Sequence, residues 1–142
     1  MVLRHAIARH LKGLRNLSDR RRNILGQRGE DLAVKFLLNA GYQIIIRNYR
    51  NYYGEIDIIA REAKSLVFVE VKTRKNELFS HPCEAVTRKK QIKISKVAMA
   101  YLAEKNLAEI AARFDVVAIL LPDNAPPKID LIQNAFDLSD AF

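Results

Sequence analysis

The chain has 142 residues, of which 49% are hydrophobic and 28% are charged, as in an ordinary globular domain with a core of its own. No apolar run approaches the roughly 20 residues of a membrane-spanning helix, and the single cysteine, Cys83, excludes an intrachain disulfide. These features favour a cytoplasmic protein without a membrane span.

The net charge of +8 is concentrated at the N-terminus. Residues 1–23 contain seven Lys and Arg side chains and one acid, Asp19, which gives +6 and leaves +2 for the rest of the chain. We therefore divide the chain into a basic N-terminal extension at 1–23 and one domain at 24–142. Apolar residues recur at helical spacing in the extension, at Leu3, Ile7, Leu11 and Leu14. Such a segment could bind nucleic acid or an anionic membrane surface, act as an organellar transit peptide, or remain a solvated and partly disordered extension.

The hydrophobic periodicity predicts the element order α-β-β-β-α-β-β. An apolar stripe with Ala33 and Leu37 indicates a first helix over 23–40, and Gly41 follows as its C-terminal cap. Five strands are predicted at 42–49, 54–60, 66–73, 113–121 and 128–135. The polar residues 62–65 form a turn, and a second helix is expected within 84–106. The fourth strand is mostly apolar and is therefore expected at the centre of the sheet.

Three charged residues interrupt the apolar second and third strands, namely Asp57, Glu70 and Lys72. If these strands pair without a bulge around residues 63 and 64, Asp57 faces Glu70 and Lys72 lies on the same side of the sheet. Facing carboxylates repel and need a cation. Lys72 is one, and Mg²⁺ or Mn²⁺ is the stronger candidate because carboxylate oxygens suit these ions. The structural alternative is that Lys72 neutralises Glu70 at a strand end while Asp57 closes the preceding turn.

Two helical features add to this pattern. Glu30 shares a helix face with Ala33 and Leu37, so it is expected on the core side, where it could join the strand carboxylates. The alternative is an acid favoured by the helix dipole. The first half of the second helix carries five cations, with no acid from residue 85 to 96, a pattern that fits either phosphate contacts or a solvated face: Arg88, Lys89, Lys90, Lys93 and Lys96.

Other sites are less favoured. His81, Cys83 and Glu84 could suggest zinc, but only two are soft ligands and no second pair exists, so no zinc site is expected. Tyr52 and Tyr53 could line a nucleic-acid approach together with Tyr49, although partial burial beside the sheet is the favoured interpretation for these tyrosines.

Five segments, in order, resemble the YraN-like family of small bacterial proteins: GQRGEDLAVKFLLNAGYQIIIRNYR, GEIDIIA, LVFVEVKTR, EAVTRKKQIKI and RFDVVAI. They cover about residues 26–120. That family resembles the PD-(D/E)XK nuclease superfamily, with archaeal Holliday-junction resolvases nearest. The resemblance implies an α/β protein with a restriction-endonuclease-like α-β-β-β-α-β core, in which a mixed central sheet is flanked by helices.

The resemblance also implies roles by position. Asp57 matches the metal-binding aspartate, although Ile56 stands where proline is usual, and Glu70 and Lys72 match the E-x-K motif. Glu30 matches the helix glutamate of the resolvase-like branch. Gln91, beside Lys90, matches the glutamine of the following helix.

The implied activity is Mg²⁺- or Mn²⁺-dependent hydrolysis of phosphodiester bonds in DNA, including branched or recombining DNA. Asp57, Glu70 and the Val71 carbonyl would hold the metal, and Lys72 would orient water or stabilise transition-state charge. The residues expected to contact nucleic acid are Arg47, Arg50, Lys89, Lys90, Gln91 and Lys93. A homodimer would supply two sites for two strands. The alternative is a non-catalytic nucleic-acid-binding or adaptor protein that keeps the nuclease fold.

Overall fold

The computed structural model describes residues 2–76 and 86–138, with side chains described from residue 16 onward. The possible zinc ligands His81, Cys83 and Glu84 lie outside the described residues. The helices and strands follow in the predicted order: α1 Val2–Asn39, β1 Gln43–Asn51, β2 Gly54–Glu62, β3 Ser65–Arg74, α2 Arg88–Glu104, β4 Ala112–Leu120 and β5 Lys128–Phe136. Each predicted strand is correct to within two residues at either end.

The first helix begins at Val2, so the prediction that it starts near residue 23 is wrong. No proline interrupts residues 2–39, and the segment is rich in Leu and Arg, which favour helix. Adding residues to an existing helix costs far less free energy than nucleating one. The helix therefore continues from its packed C-terminal part toward the N-terminus. The side chains of residues 16–24 are exposed, and Leu25 is the first of the described side chains to pack against the core.

The five strands form one mixed sheet in the order β1-β2-β3-β4-β5. β3 and β4 are parallel, whereas the other neighbouring strands are antiparallel. The predicted central position of β4 is confirmed in that β4 lies between β3 and β5, although β3 is the middle one of the five strands. The α2 crossover returns the chain parallel to β3, and a short connection then adds β5 outside β4.

The two helices cover opposite faces of the sheet. On the α2 face, Phe68 and Ile56 pack against Ile94 and Val97. On the α1 face, Val67 and Val69 pack among residues that include Ala33 and Leu37. The alternation of Val67, Phe68 and Val69 between these clusters follows the period of two of a strand buried on both sides. No described helix carries an apolar stretch sufficient to cross a membrane.

A buried carboxylate, Asp115, ties the strands together near the β2–β3 turn. Arg113, Tyr42 and the Asn134 backbone N–H donate four hydrogen bonds to it, with lengths of 2.9 to 3.2 Å. Arg113 also pairs with Glu62 at 2.9 Å. This buried acid is therefore fully partnered by its neighbours.

Candidate functional site

The β2–β3 hairpin has the predicted register. The pairs from Glu62 and Ser65 to Ile58 and Val69 follow one constant register without a bulge. Asp57 and Glu70 occupy the next position, and their side chains hydrogen-bond to each other. The prediction that these carboxylates face each other is therefore confirmed.

The two strands separate at this carboxylate pair. β3 remains paired with β4 as far as Arg74, but its pairing with β2 ends at Val69. The Val71 N–H instead donates to the Asp57 carboxylate at 2.8 Å. Asp57 thus accepts a hydrogen bond that a strand backbone would otherwise accept. Because the N–H and C=O of a strand residue point to the same side, the Val71 carbonyl also faces the opening.

The side-chain alternation of β2 breaks at Asp57. Ile58 and Ala60 pack on the α1 face, and Ile59 packs on the α2 face, as alternation requires. Ile56 should then lie on the α1 face, but it packs on the α2 face. Asp57 therefore lies at an irregularity of β2. Its carboxylate interacts electrostatically with Lys90 of α2 and with Glu30 of α1.

Burial makes ionisation of the pair unfavourable. The Glu70 side chain is only 7% exposed. Burial and the Asp57 carboxylate raise the pKa of Glu70 to about 7, against the opposing effects of Lys90 and Lys72. Burial also raises the pKa of Asp57, while the hydrogen bond from the Val71 N–H lowers it. The carboxyl pair therefore binds a proton more tightly than ordinary carboxylates do, and a bound cation would stabilise its ionised form.

Two lysines approach the same oxygen of Glu70. Lys72 Nζ lies 3.8 Å from Glu70 Oε1, and Lys90 Nζ lies 3.6 Å from it. The sequence reasoning placed Lys90 among the DNA contacts and missed its position beside the carboxylates. The signal was present, because Lys90 lies four residues from both Val86 and Ile94 on the inner stripe of α2.

Glu30 extends the acidic group from the other helix. Burial and the Asp57 carboxylate raise the pKa of Glu30, while Arg47 and a hydrogen bond with the Asn48 side chain lower it. Asn48 has a left-handed backbone, with φ of 52°. Asparagine tolerates this conformation better than most residues, and such outliers cluster at functional sites. Sequence reasoning missed Asn48, since a strand pattern carries no signal for its backbone conformation.

The residues predicted to contact nucleic acid lie in two grooves or outside both. Lys93 and Arg50 line a groove of about 340 Å³ together with Lys90, and Arg50 pairs with Glu55 at 3.1 Å. Arg47 pairs with Asp31 at 2.6 Å and lines a second groove with Glu30. Lys89 is exposed and lines neither groove. Gln91 donates to the Val86 carbonyl at 3.0 Å, which holds the entry to α2.

The tyrosines separate into buried and exposed positions. Tyr49 packs edge-to-face on Tyr101 with ring centres 5.1 Å apart, as partial burial predicts. Tyr52 is 96% exposed, so the prediction of burial is wrong there, and Tyr53 is 48% exposed. These two residues form the β1–β2 turn.

If a metal ion binds at this site, the carboxylates of Asp57 and Glu70 would supply most of its protein ligands. Within residues 2–76 and 86–138, no group of three or more His, Cys, Asp or Glu side chains could hold an ion. Mg²⁺ commonly keeps several waters and binds through one or two carboxylates. Two converging carboxylates and the neighbouring Val71 carbonyl therefore fit this ion and Mn²⁺.

Comparison with known proteins identifies relatives of this fold. Residues 29–119 match the family model described as "Uncharacterised protein family UPF0102". A UPF0102 protein of Geotalea daltonii is 56% identical over 115 residues, covering 81% of this chain and 91% of the relative. A UPF0102 protein of Geobacter sulfurreducens is 51% identical over 116 residues, covering 82% and 91%.

A further relative has a lower sequence identity over a similar length. A UPF0102 protein of Rhodococcus opacus is 47% identical over 112 residues, covering 79% of this chain and 95% of the relative. The family match includes Glu30, Asp57, Glu70 and Lys72 and begins after the basic N-terminal segment. The chain therefore belongs to the UPF0102 family, the YraN-like proteins that its motifs resemble.

Proposed function

We propose that this protein is a divalent-metal-dependent nuclease that hydrolyses phosphodiester bonds in DNA. The observation that carries this proposal is the Asp57–Glu70 pair, in which a half-buried and a buried carboxyl group face each other where β2 and β3 separate. Asp115 shows how this chain treats a structural acid, since four hydrogen bonds satisfy it. The Asp57–Glu70 pair also has partners, namely the Val71 N–H, Lys72 and Lys90, but it brings two carboxyl groups together away from water, a cost that a metal site explains.

The donor set fits Mg²⁺ or Mn²⁺ held by Asp57, Glu70 and the Val71 carbonyl, with water completing the coordination. Such an ion supplies polarisation of the scissile phosphate and a bound water of lowered pKa. Glu30 acts on the same site through its charge and would hold ordered water there. Asn48 positions the Glu30 carboxylate through its hydrogen bond.

Lys72 is the residue best placed to stabilise negative charge that develops on phosphate. Its ammonium lies 3.8 Å from Glu70 and its side chain is about a quarter exposed, so it borders the carboxylates and still reaches the opening. A preorganised donor of this kind stabilises the transition state more than the bound substrate. Lys90 lies 3.6 Å from the same Glu70 oxygen and keeps the site positive on the α2 side.

The groove lined by Lys90, Lys93 and Arg50 shares Lys90 with the Glu70 ion pair and would provide phosphate contacts. Branched or recombining DNA is the substrate class that the resolvase-like resemblance favours. Cleavage of two strands would require two sites, which a homodimer supplies. A DNA substrate and a chain with one cysteine fit a cytoplasmic location.

The two ion pairs of Glu70 favour one alternative, a non-catalytic nucleic-acid-binding or adaptor protein in which Lys72 and Lys90 only neutralise this acid. Cleavage separates the two functions. Full-length protein is incubated with single-stranded, linear duplex and branched DNA in Mn²⁺, Mg²⁺ or EDTA. The nuclease proposal predicts metal-dependent cleavage that Asp57→Asn abolishes. Absence of cleavage across the panel would make the binding protein the better explanation.

Lys72→Met sharpens this test, because methionine keeps much of the lysine stem. We expect cleavage at least about a hundredfold slower, the usual loss for a preorganised donor, with DNA affinity nearly unchanged. Lys75→Met is the matched control, since Lys75 pairs with Asp123 outside the site. A Lys72→Met protein that cuts at the wild-type rate would reduce Lys72 to a salt-bridge partner of Glu70.

A further inference from the structure

The β1–β2 turn presents two aromatic rings to solvent. Tyr52 is 96% exposed and Tyr53 is 48% exposed, and their rings meet edge-to-face with centres 5.4 Å apart. A strand turn normally carries small or polar residues, and adjacent exposed tyrosines leave apolar area in water. Neither the fold nor the carboxylate pair uses these rings.

The turn is held rigidly although its rings are free to make contacts. Asn51 Nδ2 donates to the Val97 carbonyl of α2 at 3.2 Å, and Asn51 Oδ1 accepts from the Tyr53 N–H at 3.0 Å. Gly54 has φ of +146°, and a Cβ there would lie 3.4 Å from Val97 Cγ2. The turn is therefore fastened to α2 by its polar and glycine positions, which lowers the ordering cost of binding at Tyr52.

Positive charge lies next to the turn. The groove of about 340 Å³ begins at Arg50, Asn51 and Gly54, and continues to Lys90 and Lys93. Its lining includes three cations and one carboxylate, Glu55. Lys90 also lies 3.6 Å from Glu70, so the groove and the carboxylate pair share this lysine. The chemistry of this surface suits an anionic ligand that also carries flat rings.

We propose that Tyr52 and Tyr53 form a stacking platform for an unpaired base of a DNA strand whose phosphates follow this groove. Exposed aromatic rings beside a cationic groove are the combination that binds single strands, because every base offers a face for stacking. A continuous duplex keeps its bases stacked inside, so the platform selects single-stranded or branched DNA. This inference rests on the proposed function only in taking DNA as the ligand.

The strand geometry gives the spacing between platform and carboxylates. Tyr53 precedes Asp57 by four residues of extended chain. At about 3.3 Å per residue, the platform lies roughly 10–15 Å from the pair. That distance corresponds to about three or four steps of a stacked strand at 3.4 Å per step.

Binding is measured in EDTA, where no cleavage occurs, with a fluorescein-labelled single strand and the matching duplex. The variants are Tyr52→Ala, Tyr52→Phe and the control Leu38→Ala, which removes a side chain 54% exposed on α1. Tyr52→Ala should weaken single-strand binding at least about fivefold, the lower end of base–aromatic stacking. Tyr52→Phe and Leu38→Ala should bind within about twofold of wild type, and the salt slope should not change, because no phosphate contact is lost.

Intrinsic fluorescence gives a second readout, because the chain has five tyrosines and no tryptophan. Tyr42 and Tyr101 are buried, so quenching by unlabelled single-stranded DNA should come mainly from the turn and should fall in Tyr52→Ala. Equal weakening of single-strand and duplex binding would overturn the inference. So would a Tyr52→Ala protein that changes only its oligomeric state, which would assign the tyrosines to a contact between copies.

The proposed function and this inference fail separately. A protein that cleaves DNA but binds single strands equally well with Tyr52→Ala overturns the stacking platform alone. A protein that never cleaves but loses single-strand affinity with Tyr52→Ala overturns the nuclease and supports the platform.

Discussion

Glu70 combines deep burial with a like-charged neighbour, Asp57. The sequence predicted their contact because hairpin register depends only on turn position and strand parity. The spacing of Lys90 indicated the inner side of α2, but its contact with Glu70 depends on how α2 packs against β3. The sequence did not reveal the Asn48 contact with Glu30, which depends on a left-handed residue within a strand. Contacts within one hairpin were predictable, and contacts between elements required the assembled fold.

The raised pKa of Glu70 predicts a pH dependence of stability in metal-free protein. Its pKa in the folded protein is about 7, above the ordinary 4.5, so the folded state binds the proton more tightly than the unfolded state. The free energy of unfolding should therefore rise as pH falls through about 7 toward 4.5. Above about pH 7 both states are ionised, and the cost of burying the charge is fully present.

Denaturant unfolding in EDTA at about pH 5.5 and about pH 8 measures this effect. We expect wild type to gain more stability at the lower pH than Glu70→Gln, which lacks the titrating group. The difference between the two proteins removes the contributions of distant groups and reports the titration of the Asp57–Glu70 pair. Identical pH dependence in both proteins would show that Glu70 titrates near its ordinary pKa.

The contact between α1 and β3 fixes where Glu30 lies relative to Asp57. A Cβ added at Gly29 would lie 1.9 Å from Thr73 Oγ1 and 2.9 Å from Thr73 Cβ. This close crossing therefore requires glycine at Gly29, the residue before Glu30. Its partner, Thr73, lies three residues after Glu70. The sequence indicated the helix and the strand separately, but their crossing point depends on three-dimensional packing.

Gly29→Ala should destabilise the protein by about 1–3 kcal/mol, as overpacking commonly does, because α1 must move away from Thr73. Gly26→Ala is the matched control in the same helix, since nothing lies within 4 Å of a Cβ there. That substitution should stabilise the helix by about 0.5–1 kcal/mol. Chemical denaturation compares the two, and equal effects would contradict the close crossing.

The molecule as a whole consists of a nearly neutral sheet domain and a basic helical segment. Residues 1–23 carry +6 of the net charge of +8, and the side chains of residues 16–24 are exposed to solvent. The sequence predicted the order of elements and the strand bounds from local periodicity. It indicated that β4 is an interior strand but not which strands are its neighbours, because strand order is set by the crossover through α2 and not by the apolar content of one strand.

Deletion of residues 1–23 tests whether the basic segment contributes to DNA binding. We expect weaker binding with a smaller salt slope, reduced by about 0.9 for each cation that contacts duplex phosphate. The free energy of unfolding should change little, since residues 16–24 are exposed and, among the side chains that the structure describes, packing against the core starts at Leu25. An unchanged salt slope would exclude the segment as a DNA contact, and a large loss of stability would show that it packs on the domain.

The most direct measurement is a Mn²⁺ titration followed by thermal unfolding, because it tests the carboxylate pair without knowledge of the substrate. Wild type should be stabilised progressively by Mn²⁺ through mass action. Asp57→Asn should be at least as stable as wild type without metal, because the like-charge repulsion is relieved, and should lose the response to Mn²⁺. The control Asp31→Asn, which changes an exposed acid on α1, should respond as wild type does. An equal Mn²⁺ shift in Asp57→Asn and wild type would contradict a metal site at Asp57 and Glu70.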